Sequence, residues 1–186
     1  MKKLKLFLVP IAAVVLIACG GQEKEKEQEN IMTQVEGVEV QTQAQDPINA
    51  DTIDVGTVNK TEEEWREILS PEAYHILREA GTERAFQNAY YDNEEEGIYY
   101  CGACGLPLYS SNTKFHSGTG WPSFYAPIDP KLVKRKLDTR FDMERTEVVC
   151  AQCGSHLGHI FPYEGVPTGE RHCLNSLALD FKPKDL

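Results

Sequence analysis

The sequence has no excess of positive charge and no series of long apolar segments. Its 186 residues include 29 acidic and 19 basic side chains, with a formal net charge of −10. Nucleic acid is therefore not an expected partner, because phosphate binding needs a concentrated basic surface. A hydrophobic fraction of 41% and a charged fraction of 26% exclude a membrane protein with several spans and a wholly disordered chain. Six cysteines are too few for a disulfide-rich miniprotein of this length, so their positions matter more than their number.

The first apolar segment is short and has the features of an export signal. Three lysines within the first five residues precede an apolar run at positions 6–18, which is shorter than the ~20 residues that a membrane-spanning helix needs. The run ends in Leu-Ile-Ala-Cys19, which resembles the lipobox of bacterial lipoproteins. The resemblance implies a signal peptide at residues 1–18, lipidation of Cys19, and an extracytoplasmic, lipid-anchored location in the bacterial cell envelope. The alternative is a cytosolic or freely secreted protein with a chance cysteine at this position.

The segment after Cys19 has little apolar surface to bury. Positions 20–59 hold nine acidic and two basic residues and no aromatic residue. Such a composition does not offset the entropy lost on folding. Residues 19–59 are therefore predicted to form a disordered acidic tether that holds a domain, residues 60–186, away from the membrane. The domain is expected to be a monomer.

The domain begins with signals for two short helices. Thr61 before three glutamates predicts one helix start, and Ser70 before Pro71 predicts another, with Gly81 suited to its C-terminal end. From position 89 onward, short apolar and aromatic runs alternate with Gly, Pro, Asn and Ser, a pattern typical of short strands. The sequence predicts a mainly β protein in which two N-terminal helices precede a compact antiparallel domain.

Four cysteines occur in two Cys-x-x-Cys-Gly turns, at Cys101, Cys104, Cys150 and Cys153. Two such turns complete a tetrahedral all-cysteine site, a common geometry for structural zinc. The metal would join two distant hairpins, and its binding energy would count toward folding. The alternative is redox use, with each pair a disulfide or dithiol. A redox pair is expected once and at a helix start, whereas these two lie in hairpin-like contexts, which favours zinc.

A fifth cysteine, Cys173, lies outside the pairs. Arg171 and His172 precede it and can offer positive charge, which lowers the pKa of a thiol. Asn175 shares a face with Cys173 if this segment is a strand. The alternative is a small buried apolar residue.

Two further motifs carry candidate site residues. His156 and His159 follow the second cysteine turn, so a bound metal would hold them in place. They are not needed as ligands, because four thiolates already fill a tetrahedral site. In Gly-Thr-Gly-Trp121-Pro-Ser-Phe124, glycines flank a turn that suits one wall of a small pocket. The alternative is a tryptophan packed in the core.

Taken in order, these motifs resemble the methionine-R-sulfoxide reductase (MsrB) family over residues 60–186. They are Cys-Gly-Ala-Cys-Gly, Lys-Phe-His-Ser-Gly-Thr-Gly-Trp-Pro-Ser-Phe, Cys-Ala-Gln-Cys-Gly-Ser-His-Leu-Gly-His-Ile-Phe and Gly-Glu-Arg-His-Cys-Leu-Asn-Ser. The resemblance implies two antiparallel β-sheets with short N-terminal helices, a structural zinc ion remote from catalysis, and reduction of the R epimer of methionine sulfoxide, free or in oxidised proteins.

By position, the resemblance implies that Cys173 is the nucleophile and that Trp121 and Phe124 bind the substrate. The matching polar active-site residues are His156, His159, Arg171 and Asn175. The chemistry agrees, because a thiolate must attack the sulfoxide sulfur while a proton donor assists its oxygen, and histidine donates near neutral pH. Cys173 would become a sulfenic acid that a second thiol must reduce.

The sequence departs from the family pattern at two positions. Many members carry a recycling cysteine where this chain has Thr119, so an external small thiol or a thioredoxin-like protein is expected to reduce the sulfenic acid directly. The family often has an acid directly after the equivalent of Pro162, where this chain has Tyr163 and then Glu164. Either Glu164 supplies that carboxylate through a shifted turn or the role is absent.

Two other functions account for part of the pattern. A membrane-tethered zinc-binding interaction module explains the paired cysteines and the tether, but not Cys173 beside Arg171 and Asn175. A thiol-disulfide oxidoreductase would use the Cys-x-x-Cys pairs, and then Cys101 or Cys104 would be needed for turnover but not for folding.

Overall fold

The computed structural model describes residues 48–184. The predicted signal peptide, the lipidated Cys19 and most of the tether lie outside the described residues. Two short helices come first, α1 (Glu62–Ile68) and α2 (Pro71–Glu79). Nine strands follow: β1 (Gly97–Cys101), β2 (Pro107–Ser110), β3 (Lys114–Phe115), β4 (Ser123–Phe124), β5 (Val133–Asp138), β6 (Arg145–Cys150), β7 (His156–Pro162), β8 (Glu170–Leu174) and β9 (Leu179–Pro183).

Both helices begin at the residues that the sequence indicates. The Thr61 hydroxyl accepts from the Glu64 N–H at 3.2 Å, and the Glu64 carboxylate accepts from the Thr61 N–H at 2.7 Å, which forms a capping box. Ser70 caps α2. At the end of α2, Ala80 rather than Gly81 takes the left-handed conformation, with φ of 53°. A Cβ at Gly81 would lie 2.5 Å from the ring of His75, so a larger residue there would displace this exposed side chain.

The strands form two sheets, as the resemblance implies. The smaller sheet has the order β2-β1-β9 and the larger has the order β3-β4-β8-β7-β6-β5. Every pairing in both sheets is antiparallel. The predicted mainly β fold with N-terminal helices is therefore confirmed. Among the described residues, no helix has the length and apolarity needed to cross a membrane.

Aromatic side chains from the two sheets meet in the core. The Phe124 ring on β4 lies 5.0 Å from the Tyr99 ring on β1 and 4.8 Å from the Tyr109 ring on β2. All three side chains are fully buried, and Trp65 of α1 is 1% exposed. Burial of a large apolar side chain contributes roughly 1.5–3 kcal/mol, so these contacts hold the larger sheet against the smaller one.

Contacts with the domain begin upstream of residue 60. Three partly buried apolar residues, Ile53, Val55 and Val58, pack against the core. The Val58 N–H also donates to the Gln152 carbonyl at 3.1 Å. These three apolar side chains are enough to hold an otherwise polar segment against the domain, because the folded domain already presents the apolar surface that they cover.

Candidate active site

The centre of the candidate site is a row of residues across three strands. Cys173 on β8 pairs directly with Ser123 on β4 and with His159 on β7. Residues directly opposite in antiparallel strands project from the same face. The register of the larger sheet therefore places the predicted nucleophile and one predicted histidine side by side.

A cavity of about 240 Å³ opens beside this row. Its size suits one amino-acid side chain rather than a large cofactor. Cys173 is half-buried, so its sulfur is reachable from this cavity. The lining combines five predicted residues with others: Thr82, Thr119, Trp121, Arg145, Gly158, His159, Phe161, Arg171, Cys173, Leu174 and Asn175.

The thiol of Cys173 is less acidic than the basic residues beside it in the sequence would indicate. Burial raises the pKa of the thiol, although the charge of Arg171 and hydrogen bonds from Arg171 and Thr119 lower it. The Arg171 guanidinium also donates to the Thr119 hydroxyl at 3.2 Å. In the substrate-free site, burial therefore outweighs the positive charge that the sequence places beside this thiol.

His172 does not supply the positive charge expected of it. Its side chain is 1% exposed, and burial lowers its pKa to about 4. Burial also raises the pKa of Tyr109, so the Tyr109 hydroxyl stays protonated and donates to His172 Nδ1 at 2.9 Å. His172 is neutral because it lies on the opposite face of β8 from Cys173, toward the core.

His159 is held by a carboxylate from the neighbouring hairpin. Asp138 at the end of β5 accepts from His159 Nε2 at 2.7 Å. Asp138 also accepts from the Arg140 guanidinium at 2.9 and 3.1 Å and from Arg145 at 2.7 Å. Arg140 is the main reason that the pKa of Asp138 is held well below its ordinary value. The permanently ionised carboxylate fixes the proton on His159 Nε2.

His156 lies behind the cavity rather than in its lining. Its Nδ1 donates to Glu147 at 2.7 Å, and burial lowers its pKa. Its ring meets the His159 ring edge-on at 5.3 Å between centroids. Of the two predicted histidines, His159 faces the cavity and His156 supports it from behind.

Trp121 and Asn175 form the remaining polar and aromatic walls. Both line the cavity, with Trp121 half-buried and Asn175 buried. The Asn175 amide donates to the Leu157 carbonyl at 3.3 Å. The indole N–H of Trp121 donates to the Glu83 carbonyl at 3.1 Å. The indole is therefore a wall of the cavity and not a core residue.

The four paired cysteines form one cluster. Their sulfur atoms all lie within 4.8 Å of one another, with 3.7 Å between Cys101 and Cys153 and 3.6 Å between Cys104 and Cys150. Zn–S bonds of ~2.3 Å in a tetrahedron require about 3.8 Å between sulfurs. These distances between the two turns fit zinc, and all four cysteines are free thiols rather than disulfides.

The surroundings of the cluster also suit a metal–thiolate centre. The Ser155 hydroxyl lies 3.3 Å from Cys153 Sγ. The Arg78 guanidinium donates to that hydroxyl and to the Cys153 carbonyl, both at 3.2 Å. A cation beside the cluster offsets the net negative charge of four thiolates around a divalent ion. The cluster is a structural zinc site.

Comparison with known proteins agrees with this geometry. The SelR domain matches residues 69–183. A peptide methionine sulfoxide reductase MsrB of Methanosarcina barkeri is 56% identical over 128 residues, which cover 69% of this chain and 90% of that protein. The MsrB of Thiobacillus denitrificans is 56% identical over 126 residues, covering 68% and 96%, and that of Pseudomonas putida W619 is 55% identical over 128 residues, covering 69% and 96%. This chain belongs to the MsrB family.

One residue carried over from the MsrB resemblance lies away from the cavity. Phe124 is fully buried among the core aromatics and is absent from the cavity lining. It follows Ser123, which pairs with Cys173, so strand alternation points Phe124 to the opposite face. The prediction that Phe124 binds substrate is therefore wrong, and its role is packing.

Two carboxylates at this MsrB site were not identified from the sequence. Asp138 and Glu147 hold the two histidines, whereas Glu164 lies in an exposed turn. Asp138 follows a run of charged residues, Glu147 directly precedes two valines, and neither carboxylate lies in a recognisable motif. Only the pairing of strands could have pointed to these two carboxylates. The antiparallel pairing of β5, β6 and β7 brings them beside the histidines.

Proposed function

We propose that this chain reduces methionine-R-sulfoxide to methionine, acting as a peptide-methionine (R)-S-oxide reductase. The observation that carries the proposal is the half-buried Cys173 beside a cavity that Trp121, His159, Arg171 and Asn175 also line. The relatives named above are peptide methionine sulfoxide reductases, which favours oxidised proteins as the substrate class.

The first chemical step needs a thiolate and a proton donor together. The sulfoxide methyl packs against Trp121, and the Cys173 sulfur attacks the sulfoxide sulfur after losing its proton. With Nε2 committed to Asp138, His159 exchanges protons with the sulfoxide oxygen through Nδ1. The protonated oxygen is then transferred from the substrate sulfur to Cys173 as the S–O bond and the transient S–S bond break, so that methionine is released and Cys173 becomes a sulfenic acid.

The second step restores the thiol at the expense of an external donor. One donor thiol attacks the sulfenic acid, releases water and forms a mixed disulfide, and a second thiol releases Cys173 and an oxidised donor disulfide. The other four cysteines among residues 48–184 lie in the zinc cluster, and Thr119 stands where a recycling cysteine would be. A small thiol or a thioredoxin-like protein is the proposed reductant.

An assay on both sulfoxide epimers tests the function. Wild-type protein with dithiothreitol should convert the R epimer and leave the S epimer. Cys173→Ser should abolish turnover and keep the fold. The matched control is Thr57→Ala, which changes an exposed hydroxyl outside the cavity lining. Turnover that survives Cys173→Ser but is lost in Cys101→Ser with the fold intact would instead identify a thiol-disulfide oxidoreductase. A wild-type protein without turnover on either epimer would favour a zinc-binding interaction module.

The recycling route has its own test. Wild-type protein treated with substrate without reductant should react with a sulfenic-acid reagent at Cys173. A disulfide between Cys173 and another cysteine, detected by peptide mass spectrometry, would contradict direct reduction.

We also propose that the protein is exported and anchored in the cell envelope through lipidated Cys19. The support is the lysine-rich start, the short apolar run and the Leu-Ile-Ala-Cys sequence. In a bacterial host, the wild type should label with a fatty acid and sediment with membranes, whereas Cys19→Ala should do neither. Equal membrane recovery of the two proteins would contradict the anchor.

A further inference from the structure

The segment at residues 82–90 spans two parts of the candidate site. The Phe86 N–H and the Asn88 side-chain amide donate to the Gly120 carbonyl at 2.8 and 2.7 Å. The Ser176 hydroxyl donates to Asn88 Oδ1 at 2.8 Å. The segment therefore joins the tryptophan-bearing loop to the turn that follows strand β8.

Glu83 makes the most direct of these connections through its main chain. Its carbonyl accepts from the Trp121 indole N–H at 3.1 Å, and its N–H donates to Asn175 Oδ1 at 3.1 Å. The two cavity residues are thus tied to one amino acid, although they come from different parts of the larger sheet. Any displacement of this residue moves both walls of the cavity.

The Glu83 side chain fixes the position of that main chain. Its carboxylate accepts from the Ser176 N–H and from the Leu177 N–H, the latter at 3.0 Å. These amides begin the 3₁₀ turn Ser176–Ala178, whose capping residue Asn175 makes no side-chain cap of its own. A carboxylate that caps such a turn forms charge-assisted hydrogen bonds, which are stronger than neutral ones.

We propose that Glu83 is a positioning residue for the reductase reaction, and this inference rests on the proposed function. Its carboxylate caps the turn after β8, and its main chain holds Trp121 and Asn175 at the cavity. Glu83 itself is absent from the cavity lining, so it acts through these two residues and not on the substrate. Its loss should weaken substrate binding and leave the sulfur of Cys173 intact.

The test compares Glu83→Ala with the control Glu67→Ala, an exposed glutamate on α1. Glu83→Ala should lower kcat/KM for the R epimer by roughly tenfold to a hundredfold, with most of the change in KM. Its tryptophan emission should shift, while Cys173 should be alkylated by iodoacetamide within about twofold of the wild-type rate, because burial, Arg171 and Thr119 dominate the pKa of the thiol and the charge of Glu83, which raises that pKa, contributes least. Glu67→Ala should match the wild type in all three measurements.

A second variant keeps the test decisive if Glu83→Ala does not fold. Glu83→Gln retains the side-chain volume and one acceptor oxygen, so it should show a smaller rise in KM in the same direction. A wild-type KM in whichever variant folds, with only a lower melting temperature, would mean that Glu83 is merely structural and would overturn the inference. An inactive wild type and inactive Glu67→Ala would instead overturn the proposed function.

Discussion

At the scale of single residues, the reactivity of Cys173 depends on burial opposed by two polar neighbours. Burial raises the pKa of the thiol, and Arg171 and Thr119 favour the thiolate. Arg171 is placed for this role because its guanidinium also donates to Thr119. The substrate-free sulfur is therefore protonated at neutral pH and ionises when a base takes its proton.

We expect the rate of Cys173 alkylation by iodoacetamide to rise with pH, with an apparent pKa above the ordinary thiol value of ~8.5. Arg171→Gln removes a positive charge, so it should raise this apparent pKa further and slow alkylation at neutral pH. Mass spectrometry of the Cys173 peptide from about pH 6 to pH 10 measures both effects. An apparent pKa below that of a free thiol in the wild type would show that charge outweighs burial.

His172 makes the stability of the fold depend on pH. Its pKa falls from the ordinary 6.5 to about 4 in the folded protein, so the unfolded chain binds the proton first. The stabilisation is complete above pH 6.5 and is lost as the pH falls toward 4, by up to about 3 kcal/mol. His172→Phe should remove this part of the pH dependence. Urea unfolding of both proteins at neutral and acidic pH measures the change in the free energy of unfolding. An equal change with pH in the wild type and in His172→Phe would refute the role of His172.

At the scale of elements, strands β7 and β8 approach so closely at the site that one position accepts only glycine. A Cβ on Gly158 would lie 2.0 Å from the Cys173 carbonyl oxygen and 2.9 Å from Leu174 Cα. Both neighbours are main-chain atoms, so neither strand can yield without moving the nucleophile.

We expect Gly158→Ala to lower the free energy of unfolding by roughly 1–3 kcal/mol and kcat/KM by at least about tenfold. The control is Gly165→Ala in the turn after β7. Gly165 has a φ of 88°, but its Cβ would meet nothing within 4 Å, so that variant has backbone strain without a displaced Cys173. Thermal melts and R-epimer kinetics on both variants separate strain from displacement, and equal kcat/KM values would contradict the argument.

Elements with local chemical signals were predictable from the sequence. Thr61 and Ser70 cap the two helices as expected, and apolar runs became strands β1, β2 and β6, whereas the run at 176–181 begins as the 3₁₀ turn Ser176–Ala178 before strand β9. Strand β5 gave no such signal, because its four central residues are exposed and show no alternation. It forms because β6 supplies a partner along its whole length, and such pairing is invisible in a single segment.

At the scale of the whole molecule, the zinc site links the two sheets. Cys101 ends β1 in the smaller sheet, and Cys150 ends β6 in the larger one. A structural zinc ion contributes about 10–16 kcal/mol of apparent binding energy that is also folding energy. The metal and the aromatic core therefore hold the same two layers together.

Removal of one ligand should thus unfold the domain. We expect Cys104→Ser, or chelation of the wild type, to abolish cooperative unfolding and to release about one zinc ion per chain. Cys173→Ser is the control, since it should retain both zinc and the melting transition. Elemental analysis and circular dichroism measure the two properties. A Cys104→Ser protein that melts like the wild type would refute the structural role.

The candidate site was predictable where its residues share a short motif. Cys173, Arg171 and Asn175 lie within five positions, and Trp121 lies in a motif of its own. Asp138 and Glu83 have no such motif, because they reach the site through strand register and through a segment from the other end of the domain. The prediction for Phe124 was wrong because a motif indicates the family that a chain resembles, but not the face of the strand on which a given residue lies.

Among residues 48–184, Cys173 carries the single thiol outside the metal cluster, and this sets a stoichiometric limit. Without a donor, each molecule can release one methionine and then stops, with its oxidising equivalent stored on that atom. Repair capacity would then be governed by the supply of reducing equivalents rather than by the abundance of damaged protein.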